Sequence, residues 1–278
     1  MIIPYILVFL CSFCITSVSF IVPGKQLRSS HVTYEASNQK DLSSYQSFFP
    51  DITDTQWQQL EALIFKLTDW NAKVNLISRK DIEYLVPNHI IPCLAVSLVK
   101  RFSSGEKVID VGTGGGLPGL PMAICCPNAS FTLLDSNTKK MAIVEDIRSS
   151  LGLSNVKVVR ARAEAFQERF DFMLGRAVSA VPTFLGFSSH FLDINSLFSD
   201  SGLLYIKGGD FFGELKEAGI DSYRITEVNK LVTLNSDKNV LYIPASEVQK
   251  FHSKKLLKDQ KDPGSPPFMY SSKPESKK

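Results

Sequence analysis

The stretch Val108-Ile-Asp-Val-Gly-Thr-Gly-Gly-Gly-Leu-Pro-Gly119 decides the fold of this chain. An apolar, β-branched run leads into a cluster of glycines, and an apolar helical segment follows. Gly112, Gly114 and Gly116 allow the backbone to turn sharply after the strand and allow a ligand to approach it closely. A nucleotide-like ligand is the usual occupant of such a loop in an α/β sheet, and a plain tight turn without a ligand is the alternative.

Short β-branched runs recur along the chain beyond this loop. They cover residues 107–111, 130–134, 156–159, 170–174 and 203–206. Helical segments lie between the first three, and this alternation predicts a mostly parallel sheet with helices on both faces. Two later stretches, residues 223–235 and 239–244, are expected to form a closing antiparallel pair.

The segment before the first strand is predicted to be helical. Residues 53–70 carry apolar side chains at helical spacing, and Thr53 or Asp54 can cap the helix. Residues 81–101 predict one or two further helices, interrupted by two prolines.

Three segments follow from these patterns. We expect a targeting presequence and mobile linker over residues 1–49 and one α/β domain with a helical prefix over residues 50–250. A basic, loosely ordered tail is expected over residues 251–278, which are rich in lysine, serine and proline.

The composition is that of an ordinary globular protein. With 31 basic and 28 acidic residues the net charge is +3, so any grip on nucleic acid has to come from a local basic patch. The five cysteines have neither metal-ligand spacing nor the even pattern of a disulfide framework. We therefore expect no metal site and a reducing compartment.

The N-terminus reads as a targeting signal. Residues 2–22 contain no charged side chain, and residues 6–15 have the length of a secretory apolar region. Small residues at 17–19 offer a cleavage site, and a basic, serine-rich stretch follows. This arrangement resembles the bipartite plastid presequence of algae with secondary plastids. The expected location is therefore the plastid, with no stable membrane insertion after processing; another secretory-route compartment or a signal anchor is the alternative.

Two carboxylates narrow the choice of ligand. Asp110 lies at the strand end just before the loop, where it would repel a pyrophosphate and would suit a cationic ligand. Asp135 ends the second strand, where a carboxylate can accept both ribose hydroxyls of an adenosine. S-adenosylmethionine has the adenosine, lacks phosphate and carries positive charge. For Asp135, an N-cap of the following helix is the competing interpretation.

Further motifs resemble one known family. They are Asp110-Val-Gly-Thr-Gly-Gly-Gly-Leu-Pro-Gly-Leu-Pro121, Leu133-Leu-Asp-Ser136 with Lys139-Lys140, Arg162-Ala-Glu164, Gly175-Arg-Ala177, Lys207-Gly208 and, upstream, Trp70-Asn71 with Asn75-Leu76. They resemble the glucose-inhibited division protein B family, whose members methylate N7 of a guanine in small-subunit ribosomal RNA. The likeness covers residues 53–267 and implies a Rossmann-like class I methyltransferase that uses S-adenosylmethionine.

The resemblance also implies site residues. The cofactor contacts that it implies fall on Gly112, Leu117, Ala163, Glu164 and Arg176, and the glycine turn and the ribose argument above add Gly114 and Asp135. Arg176 could hold the methionine carboxylate or an RNA phosphate, and Lys207 could contact the substrate backbone. A solvated loop cation is the alternative for Arg176, a helix first turn for Glu164, and a role without substrate contact for Lys207.

One departure concerns His89. After this histidine the family usually reads Asp-Ser-Leu, whereas this chain has Pro92-Cys93-Leu94. A lone histidine on a helical segment is more often packed or capped than catalytic, so no catalytic role is assigned to it. Guanine N7 has an in-plane lone pair and no proton, so no catalytic base is expected anywhere in the site.

The expected partner is small-subunit ribosomal RNA, either free or within an assembling ribosomal subunit. Its phosphates are expected on Arg79-Lys80, Lys100-Arg101, Lys139-Lys140 or the lysine-rich tail, each of which could equally be a solvated face. The rival functions are methylation of another substrate on the same fold, a non-catalytic RNA-binding assembly factor, and an NAD-dependent dehydrogenase.

Overall fold

The structure is a computed structural model that describes residues 41–78 and 80–261, all within one compact unit, Asn38–Lys278. The strands are β1 (Lys107–Val111), β2 (Ser130–Asp135), β3 (Val156–Arg160), β4 (Phe172–Arg176), β5 (Gly202–Gly208), β6 (Arg224–Glu227) and β7 (Lys238–Pro244). The α-helices are α1 (Asp54–Lys73), α2 (Ile91–Val99), α3 (Gly119–Cys125), α4 (Thr138–Ser150), α5 (Val181–Ser188), α6 (Phe212–Ala218), α7 (Val228–Leu231) and α8 (Ala245–Lys261).

The strands form one sheet in the order β3-β2-β1-β4-β5-β7-β6. The first five pair in parallel, and β7 runs antiparallel to both β5 and β6. This is the predicted Rossmann-like sheet. The predicted antiparallel pairing near the end of the domain is confirmed, but its first strand is shorter than predicted, because residues 228–231 form α7. Because β2 and β4 flank β1 on opposite sides, a crevice opens at the carboxyl end of β1, where such sheets bind ligands.

The core lies on both faces of the sheet. Val108 packs with the apolar side chains of α1, α2, α3 and α4, whereas Ile109 and Val111 pack on the other face with α5, α6 and α8. All three side chains are buried. A strand buried on both faces reads as a continuous apolar run, which is how β1 appears in the sequence.

The helical prefix is fastened to the glycine-loop helix. Thr53 caps α1 in a capping box with Gln56, as the sequence predicts for Thr53. The Gln56 side chain also donates to the carbonyl oxygens of Ile124 (2.8 Å) and Cys125 (3.2 Å) at the end of α3. These bonds hold α1 against the helix that follows the glycine loop.

The predicted start of the domain at residue 50 is wrong. A 3-10 helix at Leu42–Phe48 precedes α1, and Leu42, Tyr45 and Phe49 are buried in the core. Phe49 packs edge-on against Trp57, with 6.2 Å between ring centroids. Apolar residues three or four apart in a short polar stretch were too weak a signal to separate from the presequence. Residues 1–40, which carry the predicted targeting signal, lie outside the described residues.

The predicted loose tail from residue 251 is also wrong over its first part. Helix α8 continues to Lys261, with Phe251 packed against the core and His252 Nδ1 3.0 Å from Ser189 Oγ. Lys255 donates to the carbonyl oxygen of Gly186 at 2.6 Å, so the second half of α8 is docked as well. Residues 262–278 lie outside the described residues.

No helix within residues 41–78 and 80–261 is long and apolar enough to cross a membrane.

Candidate functional site

The glycine loop turns between β1 and α3 with its backbone closely enclosed. Gly112 and Gly116 have φ of 71° and 89°, the left-handed region that favours glycine. A side-chain carbon at Gly112 would lie 3.0 and 3.1 Å from the two methyl groups of Val178. The backbone amides of Gly112 and Thr113 both donate to the Leu134 carbonyl oxygen, which ties the loop to the end of β2.

Asp110 braces this loop from behind. Its Oδ2 accepts from Thr113 Oγ1 at 2.6 Å and from the Gly119 amide at 2.8 Å, so one oxygen holds both ends of the turn. Burial raises the pKa of this carboxyl to about 6. Asp110 is not part of the pocket wall, so the expectation that it faces a cationic ligand is wrong.

Asp135 lies at the front of the loop. Its Oδ2 accepts from the Gly114 amide at 3.0 Å and its Oδ1 from the Asn137 amide at 2.8 Å. The N-cap of α4 is Asn137, whose side chain accepts from the Lys140 amide, so the capping interpretation of Asp135 is wrong. Each carboxylate oxygen keeps further acceptor capacity, which a ribose hydroxyl can use.

A pocket of about 530 Å³ lies at the carboxyl ends of β1 to β4. Every predicted cofactor contact lines it: Gly112, Gly114, Leu117, Asp135, Ala163, Glu164 and Arg176. Its volume falls within the range of pockets that hold ligands of the size of a nucleoside. Ala163 and Glu164 form part of the wall and also begin a 3-10 turn (Ala163–Ala165), so the first-turn interpretation of Glu164 holds and its contact with the cofactor stays a prediction.

Several wall residues were not predicted as cofactor contacts from the sequence. They are Leu76, Ile77, Ser78, His89, Asn137, Lys140, Val178 and Phe187. The Asn71 side chain accepts from the backbone amides of Leu76 (2.9 Å) and Ile77 (2.8 Å), which holds this segment across the glycine loop. The motif Trp70-Asn71 with Asn75-Leu76 carried that signal, but only in the folded chain do these residues reach the pocket.

Arg176 ends β4 at the side of the pocket opposite Glu164. One of its nitrogens, Nη2, contacts His89 Nδ1, and Nη1 lies 3.9 Å from Cys93 Sγ. It is half-buried, so the solvated-loop interpretation is wrong. The next residue, Ala177, has a φ of 49°, an uncommon left-handed conformation for a non-glycine residue. Strain of this kind tends to occur at functional sites, and here it lies in the pocket wall.

His89 and Cys93 are both electrically neutral beside this guanidinium. Burial, with the Arg176 charge adding to it, lowers the pKa of His89 to about 4. Burial raises the pKa of the Cys93 thiol to about 11. None of the ion pairs within the described residues includes Arg176, so its guanidinium has no carboxylate partner there.

Lys207 does not reach the pocket. Its ammonium pairs with Glu214 at 2.6 Å and donates to the Ser179 carbonyl oxygen at 3.3 Å, with only 11% of its side chain exposed. The expectation that it contacts the substrate backbone is therefore wrong in this structure. The sequence could not show that Glu214, on the next helix, would neutralise it.

The predicted basic pairs separate in the same way. Lys100 is held between Glu106 (2.7 Å) and Asp200 (2.8 Å), and Arg101 faces Asp51 at 3.4 Å, so neither forms a free basic patch. Lys140 lines the pocket and Lys139 beside it is exposed. Arg79 lies outside the described residues.

The pocket fits S-adenosylmethionine by its distribution of chemical groups. Carboxylates of Asp135 and Glu164 lie at the end formed by β2 and β3, where they can accept from ribose hydroxyls and adenine. The uncompensated Arg176 guanidinium lies at the end formed by β4, where it suits a carboxylate. The open space over Gly114 admits a ligand against the backbone. As a separate observation, no group of three or more His, Cys, Asp or Glu within the described residues could hold a metal.

This sheet and this pocket together define a class I S-adenosylmethionine-dependent methyltransferase. The sequence model of the family described as rRNA small subunit methyltransferase G matches residues 56–239. The chain belongs to that family.

Two relatives illustrate the similarity. The ribosomal RNA small subunit methyltransferase G of Christiangramia forsetii is 37% identical over 209 residues, covering 73% of this chain and 97% of the relative. That of Flavobacterium psychrophilum is 42% identical over 170 residues, covering 61% and 81%. Among solved structures, a SAM-dependent methyltransferase from Aquifex aeolicus aligns with a TM-score of 0.44 at 18% identity, over 58% of this chain and 92% of that one.

Proposed function

We propose that this protein transfers a methyl group from S-adenosylmethionine to N7 of a guanine in small-subunit ribosomal RNA. The observation that carries the proposal is the pocket that runs from Asp135 and Glu164 to Arg176 and His89 in a chain of this family. One end accepts hydrogen bonds from an adenosine, and the other end offers a cation and a neutral imidazole.

The bound cofactor supplies an electrophilic methyl group on a sulfonium. Guanine N7 attacks with a lone pair that lies in the plane of the ring and carries no proton, so no side chain has to act as a base. The protein therefore contributes positioning. The loop from Gly112 to Leu117 and the carboxylate of Asp135 hold S-adenosylmethionine, and the residues at the end of β4 orient the guanine.

Each contact has a proposed task. Asp135 accepts from the ribose hydroxyls, Glu164 lies beside the adenine, and Arg176 binds the methionine carboxylate or a phosphate of the RNA. Cations around the mouth of the pocket bind the RNA backbone, namely Lys139, Lys140 and Arg162. The target base has to be unpaired or turned out of its stack to enter.

Incubation of the purified protein with methyl-labelled S-adenosylmethionine and small-subunit ribosomal RNA tests the proposal. We expect label on N7 of a guanine, located by nuclease digestion and mass spectrometry. Cofactor binding without transfer would favour an assembly factor, and tight NAD binding would favour a dehydrogenase; either result contradicts the proposal. Comparison of free RNA with assembled subunits as acceptors separates the two forms of the substrate.

Asp135→Ala gives the matched binding test. We expect the dissociation constant for S-adenosylmethionine to rise about 10- to 100-fold, because hydrogen bonds from ribose to a carboxylate are lost. Asp69→Ala, which removes an exposed carboxylate paired with Lys73 on α1, is the control and should leave binding unchanged. Equal binding by both variants would place the adenosine elsewhere.

We also propose that the protein acts in a plastid, with small-subunit ribosomal RNA of that organelle as its substrate. Support comes from the composition of residues 1–40: an uncharged apolar run followed by a basic, serine-rich stretch. Fusion of residues 1–40 to a fluorescent protein in an alga with a secondary plastid should direct it to the plastid. Fluorescence in the secretory pathway or at a membrane would contradict this.

A further inference from the structure

The contact between His89 and Arg176 carries an assignment of hydrogen atoms. The two residues are 87 positions apart in the chain, and the fold brings His89 Nδ1 against Arg176 Nη2 in the pocket wall. A guanidinium has five N–H donors and no acceptor, so it can only donate. His89 Nδ1 must therefore be the acceptor and carry no proton.

The second nitrogen of the ring follows from the first. A neutral imidazole has one proton, so when Nδ1 accepts, Nε2 carries the hydrogen and is a donor. No group of the described chain is bonded to Nε2, and this nitrogen is not among the buried polar atoms without a partner. His89 is half-buried and lines the pocket, so its free N–H reaches the pocket space.

The surrounding charges keep the ring neutral. Burial and Arg176 both lower the pKa of His89, and Lys238 from β7 adds to the effect. Asp81 acts in the opposite direction more weakly than Arg176 does. With a pKa of about 4, the ring is a neutral donor at any pH at which the protein would work.

The position of this donor in the sheet decides what it can touch. Asp135 ends β2 and Ala163–Glu164 follow β3, and these hold the adenosine end in the proposed function. Arg176 ends β4, on the far side of the β1 glycine loop in the strand order. The free N–H of His89 is therefore at the end of the pocket away from the adenosine, where an acceptor base would enter.

We propose that His89 selects guanine as the acceptor base: Arg176 orients the imidazole through Nδ1, and Nε2–H donates a hydrogen bond to O6 of the guanine. This rests on the proposed function. Guanine presents N7 and O6 as adjacent acceptors on one edge, so a donor on O6 leaves the N7 lone pair free and aims it into the pocket. Adenine presents an amino group at the corresponding position, and two donors would face each other.

An amino group in place of O6 removes one hydrogen bond and leaves the Nε2–H donor of His89 unpaired, and these two losses set the expected selectivity. We expect the kcat/KM ratio of an RNA with guanine at the target to one with 2,6-diaminopurine to be about 10 to 100 in the wild type. 2,6-Diaminopurine keeps N7 and the 2-amino group, but it replaces O6 with an amino group and the N1–H donor with a bare acceptor nitrogen. The part of the ratio that depends on His89 therefore reports on the O6 contact. His89→Phe should bring the ratio to within about threefold of unity.

Two variants separate this role from a structural one. His89→Gln keeps an amide oxygen for Arg176 and an N–H donor for the base, so it should recover most of the ratio. His252→Phe removes a histidine that bonds Ser189 outside the pocket, so it should leave the ratio unchanged. If His89→Phe slows both RNAs equally and the ratio stays at its wild-type value, the proposal is wrong.

A measurement without turnover tests the tautomer directly. In ¹⁵N-histidine spectra of the free protein, the His89 resonances, identified by their loss in His89→Gln, should show a protonated Nε2 and a bare Nδ1 between pH 6 and 8, about two to four units above the pKa of this ring. A protonated Nδ1, or a ring carrying both protons, would overturn the assignment even if the enzyme methylates guanine. Failure of the wild type to methylate either RNA would instead refute the proposed function, and with it this role of His89.

Discussion

Replacing Gly112 with alanine adds one methyl group where the glycine loop passes Val178. At this position the backbone φ is 71°, and the added carbon would lie 3.0 Å from Val178 Cγ2 and 3.1 Å from Cγ1. The substitution therefore combines two costs, a left-handed backbone for a residue with a β-carbon and a steric overlap in the wall of the pocket.

The two costs can be separated by size. A left-handed φ costs a non-glycine residue about 1 kcal/mol relative to glycine. Overpacking against a buried neighbour costs about 1–3 kcal/mol, because the neighbour or the loop has to move. We expect Gly112→Ala to lower the free energy of unfolding by about 2–4 kcal/mol and to weaken S-adenosylmethionine binding at least about tenfold, since the loop that shifts is the pocket wall.

Gly152→Ala supplies the matched control. Its φ is 64°, and nothing lies within 4 Å of the added carbon, so it carries the backbone cost alone. Urea unfolding should therefore show about 1 kcal/mol for Gly152→Ala, with cofactor binding unchanged in calorimetry. Val178→Ala in the Gly112→Ala background should restore part of the difference by removing the methyl groups that the new carbon meets.

Equal losses of stability in the two glycine variants would refute the steric argument. Normal cofactor binding in Gly112→Ala would go further and show that the loop does not form the pocket wall.

Three further results are expected. The pKa of Asp110 is higher in the folded protein (about 6) than in the unfolded chain (3.8), so its stabilising contribution is complete below pH 3.8 and is lost as the pH rises through 6. The unfolding free energy of the wild type relative to that of Asp110→Asn should therefore be about 2 kcal/mol larger at pH 4 than at pH 7. A difference that stays constant with pH would contradict the burial argument. Lys207→Met should lower the free energy of unfolding by about 2 kcal/mol, because Glu214 loses its ion-pair partner, and should leave RNA affinity at fixed salt unchanged. A loss of RNA affinity without a loss of stability would support the substrate role that the sequence predicts. Gln56→Leu should lower the thermal midpoint of unfolding by a few degrees, because loss of the capping box and of the bond to Ile124 removes about 1–2 kcal/mol of stability. Cofactor affinity should stay within about twofold of the wild type, and a much weaker affinity would mean that α1 shapes the pocket.

The sheet could be predicted from the sequence because its signals are local. A β-branched run, a glycine turn and an apolar helix occupy adjacent residues around Gly112, and each element reports its own period. The same holds for the helix capped by Thr53. The end of the pocket at Asp135 and Glu164 could also be predicted, since both residues lie at or just after the carboxyl ends of strands that share one edge of the sheet.

Two segments were wrongly predicted to be loose, because their few apolar residues lie among many polar ones. The Ser-rich and Lys-rich compositions around residues 42–49 and 251–261 predicted loose segments, yet both contain helices that dock on the core. Tyr45 is buried in the first segment and Phe251 packs partly buried against the core in the second, and the burial that a few apolar residues gain depends on the surface they meet.

Local patterns in the sequence were enough to predict the strands along the chain, helix α1, the glycine loop and the family. The contacts that hold Asp110 behind the loop, neutralise Lys207 with Glu214 and bring His89 to Arg176 exist only in the folded chain. The physical reason is that a local period determines an element, whereas the partner of a side chain depends on which elements become neighbours. Here β4 lies beside β1 across an intervening pair of strands in the chain order, and the helical prefix closes over both.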